Sequence, residues 1–206
     1  MNVFALSEGF LKQHSKQKIM KNIIVLLIVI ISLSIGSKAQ SIFKINSEKS
    51  KFAWTGYASV GNYSPTGTIQ LSTGILNFNG KNITKAVFEF DMRTISHENK
   101  DLQNHLKNED FFEVEKYPKA IFSLEKIIHN QATGLLKIKN VEKRISFPIM
   151  IKKSEKEFQN QAVITINRTY FGIKYTSTNS FSKLGDYAIK DNFEFRLDLS
   201  MDKLIN

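Results

Sequence analysis

The chain has 206 residues, 42% of them hydrophobic, with 29 Lys and Arg against 19 Asp and Glu, a net charge of +10 and no cysteine. Without cysteine, a disulfide framework, a thiol nucleophile, a zinc–thiolate site and an iron–sulfur cluster are all excluded. The positive charges stand singly, with no basic run interleaved with aromatics; this speaks against a nucleic-acid partner and leaves a solvated basic surface or attraction to an anionic membrane surface.

Residues 1–39 read as an export leader. Lys12, Lys16, Lys18 and Lys21 precede an apolar run from Ile23 to Ile35. That run is shorter than the roughly 20 residues of a comfortable membrane span. Ser37, Lys38 and Ala39 then form a small-x-small cleavage site before Gln40. The alternative is an uncleaved N-terminal anchor. Met20 is a second candidate start beside Met1, since the residues before it add nothing a leader needs. No cysteine follows the run, so a lipid-modified N-terminus is excluded. The expected location is periplasmic or secreted. Residues 40–206 form one domain, which keeps 24 basic and 18 acidic residues once the leader's five lysines and one glutamate are removed.

Period-two alternation dominates this domain. Phe52 and Trp54 share a face. Ser72-Thr73-Gly74 reads as a loose turn, and Asn79-Gly80 as a two-residue type I′ hairpin. Ala86, Phe88, Phe90 and Met92 then face one way and Val87, Glu89, Asp91 and Arg93 the other. His129 to Gly134 is a second loose turn. Ile145, Phe147, Ile149 and Ile151 share a face, with Pro148 marking an edge or bulge. Lys152 to Lys156 turns the chain again. Ala162, Ile164 and Ile166 form one more apolar face, and Phe193, Phe195, Leu197 and Leu199 another. About nine closely spaced antiparallel strands of this kind predict an all-β barrel or sandwich.

Ser96 to Pro118 breaks the pattern. Asn99 to Lys107 has helical spacing, with Leu102 and Leu106 four apart, Asp101 near the start and Lys107 near the end. Phe111, Phe112 and Val114 form a compact apolar turn before Tyr117-Pro118. A long connection with its own apolar residues is suited to closing one end of a barrel, or to completing the core there.

Catalytic signals are absent. His14, His97, His105 and His129 show no metal-binding pair four apart, so no metal is expected. Carboxylates stand singly, there is no Gly-x-Ser-x-Gly elbow and no phosphate loop. Sequons at Asn62, Asn82 and Asn167 are attributable to chance in an asparagine-rich chain. What remains is the apolar interior. Fourteen phenylalanines and Trp54 follow the leader. A barrel of about eight strands is either filled by its side chains or holds one slender ligand. The residues alone leave both open.

The stretch "HLKNEDFFEVEKYPKAIF" (His105–Phe122), with "FEFDMRTI" (Phe88–Ile95) before it, resembles the YceI family. So do "RISFPIMI" (Arg144–Ile151), "NRTYFGIKYTS" (Asn167–Ser177) and "LGDYAIKD" (Leu184–Asp191), in the same order. The resemblance runs from about Phe43 to Leu199. It implies an extended lipocalin-like antiparallel β-barrel, exported, with a short helical segment closing one end, that holds a long apolar molecule such as a polyisoprenoid. On that resemblance Phe52, Trp54, Phe88, Phe90, Met92, Phe122, Phe147 and Ile149 are candidate cavity lining. Leu106, Phe111 and Phe112 would cover one end of the ligand, and Phe171 and Tyr175 would line the wall or its mouth. Arg168, Lys174 and Asp186 are head-group candidates, with a structural ion-pair or turn network as their alternative role.

Three positions depart from the family pattern. Pro65 stands where many relatives have a histidine, removing any head-group role of that side chain. Asn140 replaces a common glycine, which suggests a left-handed turn residue. Asn167-Arg168 replaces a common Asp-Arg pair, weakening an ion-pair account of Arg168. The expected function is a non-enzymatic binder of an apolar lipid with no other cofactor. A homodimer is left open. The rival readings are an interaction or stress-response module with a filled core and, last, an enzyme acting on a lipid in the barrel.

Overall fold

The computed structural model describes residues 40–79, 82–154, 156–175 and 189–204. The leader assigned to residues 1–39, and Asp186, lie outside them. The elements run β1 (Gln40–Ile45), β2 (Lys51–Thr55), β3 (Thr66–Asn79), β4 (Asn82–Ser96), α1 (Lys100–Lys107), β5 (Lys119–Ile128), β6 (Gln131–Ile138), β7 (Val141–Pro148), β8 (Met150–Lys153) and β9 (Glu157–Asn167). A 3-10 turn, Arg168–Phe171, and β10 (Asn192–Lys203) follow.

All the pairings are antiparallel, in the order β7-β6-β5-β4-β3-β1-β10-β9-β8. Strands β1 and β2 both sit between β3 and β10, β1 toward one end and β2 toward the other. The break between them is sealed by Ser50. The single proton of its hydroxyl is shared between the carbonyls of Asn46, at 2.7 Å, and Ser200, at 3.0 Å, and its oxygen accepts from Ser200 N–H.

The two ends of the sheet are consecutive in sequence. Residues from Val141 to Lys153 form one bent stretch whose first half pairs with β6 and whose second half pairs with β9. The bend falls at Pro148 and Ile149, where a residue without an N–H ends the first ladder. Ile149 N–H instead donates to Asn130 O at 2.8 Å. The sheet thus wraps into a lipocalin-like barrel without a regular closing ladder among the described residues. The inward faces carry the apolar residues that alternation assigned, including Phe52, Trp54, Ala86, Met92, Phe147 and Ile164.

Several turns differ from expectation. Ser72-Thr73-Gly74 is not a turn: it lies inside the fourteen-residue β3 as a bulge between Leu71↔Phe90 and Thr73↔Glu89. Ser72 is the extra residue, and its hydroxyl donates to Glu89 O at 2.9 Å. A bulge keeps a long strand paired while increasing its twist, which a small barrel requires. Asn79 pairs with Asn82, so it ends β3 rather than opening the hairpin loop. The turn after β5 is only His129-Asn130, both at positive φ (48° and 60°). Gly134 belongs to β6, where a Cβ would press into the Phe122 ring. Lys139-Asn140 forms another left-handed pair (49° and 64°), the conformation expected at Asn140.

Helix α1 begins at Asn99, whose Oδ1 accepts from Asp101 N–H at 2.9 Å and Leu102 N–H at 3.1 Å. The chain then folds back. Phe112 N–H donates to Leu106 O and Val114 N–H to Lys107 O, both at 3.1 Å. Lys139, from the β6–β7 turn, donates its ammonium to Phe111 O at 3.0 Å and to Glu109 O at 3.3 Å. The connection is therefore tied to the barrel, and Leu106, Phe111, Phe112 and Val114 are buried beneath it.

Candidate functional site: an apolar interior in two chambers

Alternation aims one face of every long strand at the axis, and the facing side chains do not fill the space between them. Two apolar cavities result, of about 310 Å³ and about 80 Å³. They share Phe90, Leu136, Ile166 and Phe195 as lining, so they adjoin across these four side chains.

The larger chamber is closed by the α1 connection. Leu102, His105, Leu106, Phe111 and Phe112 line it together with Trp54, Met92, Ile95, Ile138 and Phe193. The smaller chamber lies further along the strands, between Phe52, Leu76, Phe88, Phe122, Phe147, Ile149, Leu197 and Leu199 among others. Beyond it Phe43, Phe78 and Phe158 pack together, with ring centroids 5.2 to 6.4 Å apart. Phe43 and Phe78 are almost wholly buried there.

Polar groups gather at the larger chamber, where Tyr57, Tyr63, His105, Arg168, Tyr175 and Lys190 contribute to the lining. The Tyr175 ring lies 4.3 Å from that of His105. Two nitrogens of this wall, Trp54 Nε1 and His105 Nε2, are buried without a hydrogen-bond partner.

Arg168 is held by the chain itself. Its Nη1 donates to Ile173 O at 3.0 Å, and Nε and Nη2 reach Lys190 O and Ile189 O at 3.3 Å. Nη2 also lies 3.6 Å from Asp191 Oδ1. Burial lowers the guanidinium's pKa from its ordinary value, and the Asp191 carboxylate pulls it back up. Two of these hydrogen bonds and the ion pair pin the 3-10 turn to the strand-entry segment Ile189–Asp191, and the third fastens the turn's own exit at Ile173. This is the structural network that the sequence offered as the alternative to a head-group role. The neighbouring Asn167 caps the 3-10 turn, as aspartate would, with its Oδ1 accepting from Thr169 N–H at 3.0 Å.

The nominated lining residues are thus distributed between the chambers. Phe52, Phe88, Phe122, Phe147 and Ile149 line the smaller; Trp54, Met92, Leu106, Phe111, Phe112 and Tyr175 line the larger; Phe90 lines both. Phe171 is buried in the core and lines neither, and Lys174 is exposed and lines neither. Residues passed over include Leu76, Leu136, Ile164, Ile166, Phe193, Phe195 and Leu197. Apart from Leu76 and Leu136, all stand on apolar faces that alternation identified. Leu76 was hidden because its strand was cut at Ser72–Gly74. Among the described residues, no group of three or more His, Asp and Glu side chains is placed to hold a metal ion.

A family model for the YceI-like domain matches residues 43–201. The chain belongs to the YceI-like family. A UPF0312 protein of Staphylococcus epidermidis is 30% identical to it over 118 residues, 53% of this chain and 67% of that one. Among solved structures, BcnA of Burkholderia cenocepacia superposes with a TM-score of 0.63 at 17% identity, over 76% of this chain and 98% of that chain. A polyisoprenoid binding domain from Saccharophagus degradans, implicated in plant cell wall breakdown, gives a TM-score of 0.61 at 10% identity, over 79% and 98%. The Campylobacter jejuni YceI protein gives 0.56 at 22% identity, over 71% and 89%. At these identities the structural likenesses establish the lipocalin-type fold of this YceI-like domain.

Proposed function

We propose that this YceI-like protein is an exported, non-enzymatic binder that sequesters or carries a long apolar lipid, a polyisoprenoid or acyl chain, inside its barrel. The observation that carries this reading is the pair of adjoining apolar chambers on the barrel axis. Each methylene moved from water into such a space contributes about 0.8 kcal/mol, so a long chain binds with few polar contacts. A similar fold described as a polyisoprenoid binding domain supports the ligand class. Export rests on the leader pattern of residues 1–39. The filled-core alternative would leave an apolar void of about 310 Å³ in the resting protein, where interiors normally pack to crystal density.

The test is native mass spectrometry of protein recovered from the export compartment of its own host. An added hydrophobic mass, and an N-terminus at Gln40, are expected. A homogeneous ligand-free mass, together with no uptake of prenyl or acyl probes, would refute the binding role. Recovery of the protein only from the cytoplasm would refute export.

A further inference from the structure

The boundary between the two chambers is aromatic. Phe90 on β4 and Phe195 on β10 meet edge to face, with centroids 5.2 Å apart and planes at 86°. Phe52 on β2 joins them, 5.2 Å from Phe90 and stacked on Phe195 at 6.3 Å. Strands β3 and β2 lie between β4 and β10, so these rings meet over the intervening strands on the inner face of the curved sheet. Leu136 and Ile166 are the other two side chains that line both chambers.

We propose that the Phe52–Phe90–Phe195 triad determines how long a chain the barrel admits. This rests on the lipid-binding reading above and adds to it a specificity element. The larger chamber has about four times the volume of the smaller, about 310 against about 80 Å³. A shorter prenyl chain is accommodated in the larger chamber with the triad as found. A longer one enters the smaller chamber only if Phe90 and Phe195 turn aside.

The surroundings permit that turn. Both rings keep part of their surface open to the chambers. Phe90 pairs across β4–β5 with Ala120, whose side chain leaves room beside it. On its other flank the β3 bulge begins at its partner Leu71. Bulges re-aim neighbouring side chains and loosen the ladder locally. The rings gain edge-to-face contact when the gate is shut, of the order of magnitude of one or two methylenes buried. Opening is therefore within reach of a chain only a few carbons longer.

The test is a chain-length series. Prenyl alcohols from farnesol to octaprenol displace a fluorescent naphthalene sulfonate from the delipidated protein. In the wild type, binding tightens about fourfold per buried methylene until the larger chamber is filled, then levels off at a definite chain length. Phe195→Leu and Phe195→Ala move the break to longer chains, and Phe90→Trp moves it to shorter ones. The Leu and Trp variants keep the test alive if the Ala variant does not fold. An unchanged break in folded variants that still bind the shorter alcohols overturns the gate and leaves lipid binding standing. No binding of any prenyl alcohol by the wild type overturns both.

Discussion

Arg168 Nη2 and Asp191 Oδ1 lie 3.6 Å apart, with side chains only 2% and 8% exposed. The pair joins the end of β9 to the entry of β10, next to the larger chamber. A charge this deeply buried is tolerated only with a counter-charge and satisfied donors. The three carbonyls supply the second requirement and Asp191 the first.

Asp191→Ala leaves the guanidinium buried with neutral partners only. It is expected to cost about 3–5 kcal/mol. Urea denaturation reads this as a lower midpoint. Lys174→Ala, at an exposed position, stays within about 0.5 kcal/mol of wild type. A wild-type midpoint for Asp191→Ala would remove the pair from the stability account.

Asp91 makes stability fall in acid. Hydrogen bonds from the Arg93 side chain, at 2.9 and 2.8 Å, are the main reason its carboxyl pKa is lowered, opposed by its partial burial. A lowered folded-state pKa means the unfolded chain protonates first, near pH 4. The stabilisation is therefore complete above that range and is lost as pH falls through the folded value. Asp91→Asn should lower stability at neutral pH and flatten its acid limb. Thermal melts between neutral and acid pH measure both, and parallel profiles for variant and wild type would contradict this.

Gly67 lies opposite Trp54 in the β2–β3 ladder. A Cβ there would collide with Ser96 O and the indole ring. The Ser96 oxygen is backbone held in the β3–β4 ladder and cannot step aside as a side chain can, so Gly67→Ala should cost about 1–3 kcal/mol. Trp54 is the sole tryptophan, so its fluorescence reports the displacement directly. Unaltered emission and stability would show that the wall yields there.

Ligand should stabilise the fold. A chain present at about 100 times its Kd adds about 2.7 kcal/mol. For a domain of this size that raises Tm by roughly 5–10 °C. Delipidated protein should therefore melt lower, and reloading with geranylgeraniol should restore the value. A Tm indifferent to both would argue that nothing occupies the chambers.

Much of this was legible because strand periodicity is local. The apolar faces at Ala86–Met92, Ile145–Ile149 and Phe193–Leu199 needed only alternate spacing to be seen. Helix α1 was legible from the spacing of Leu102 and Leu106 and from Asp101 and Lys107 at its two ends; its Asn99 cap emerged only in the structure. The β3 bulge was not, because Ser-Thr-Gly is a common turn composition and only pairing with β4 shows that the strand continues. Arg168 was ambiguous for a related reason: its partners at Ile189, Lys190 and Asp191 lie about twenty residues away, across a long connection.

The sequence by itself determined the inward faces of those strands whose alternation runs unbroken, because a period of two is set by the backbone of each strand alone. It also determined where the pattern is interrupted, by an apolar connection able to cover an end. Only the tertiary structure decided that those inward faces leave space, that the space is divided at Phe90 and Phe195, and that Arg168 is held by its own chain. Those outcomes depend on distances between strands remote in sequence, and no local pattern encodes the width of a barrel.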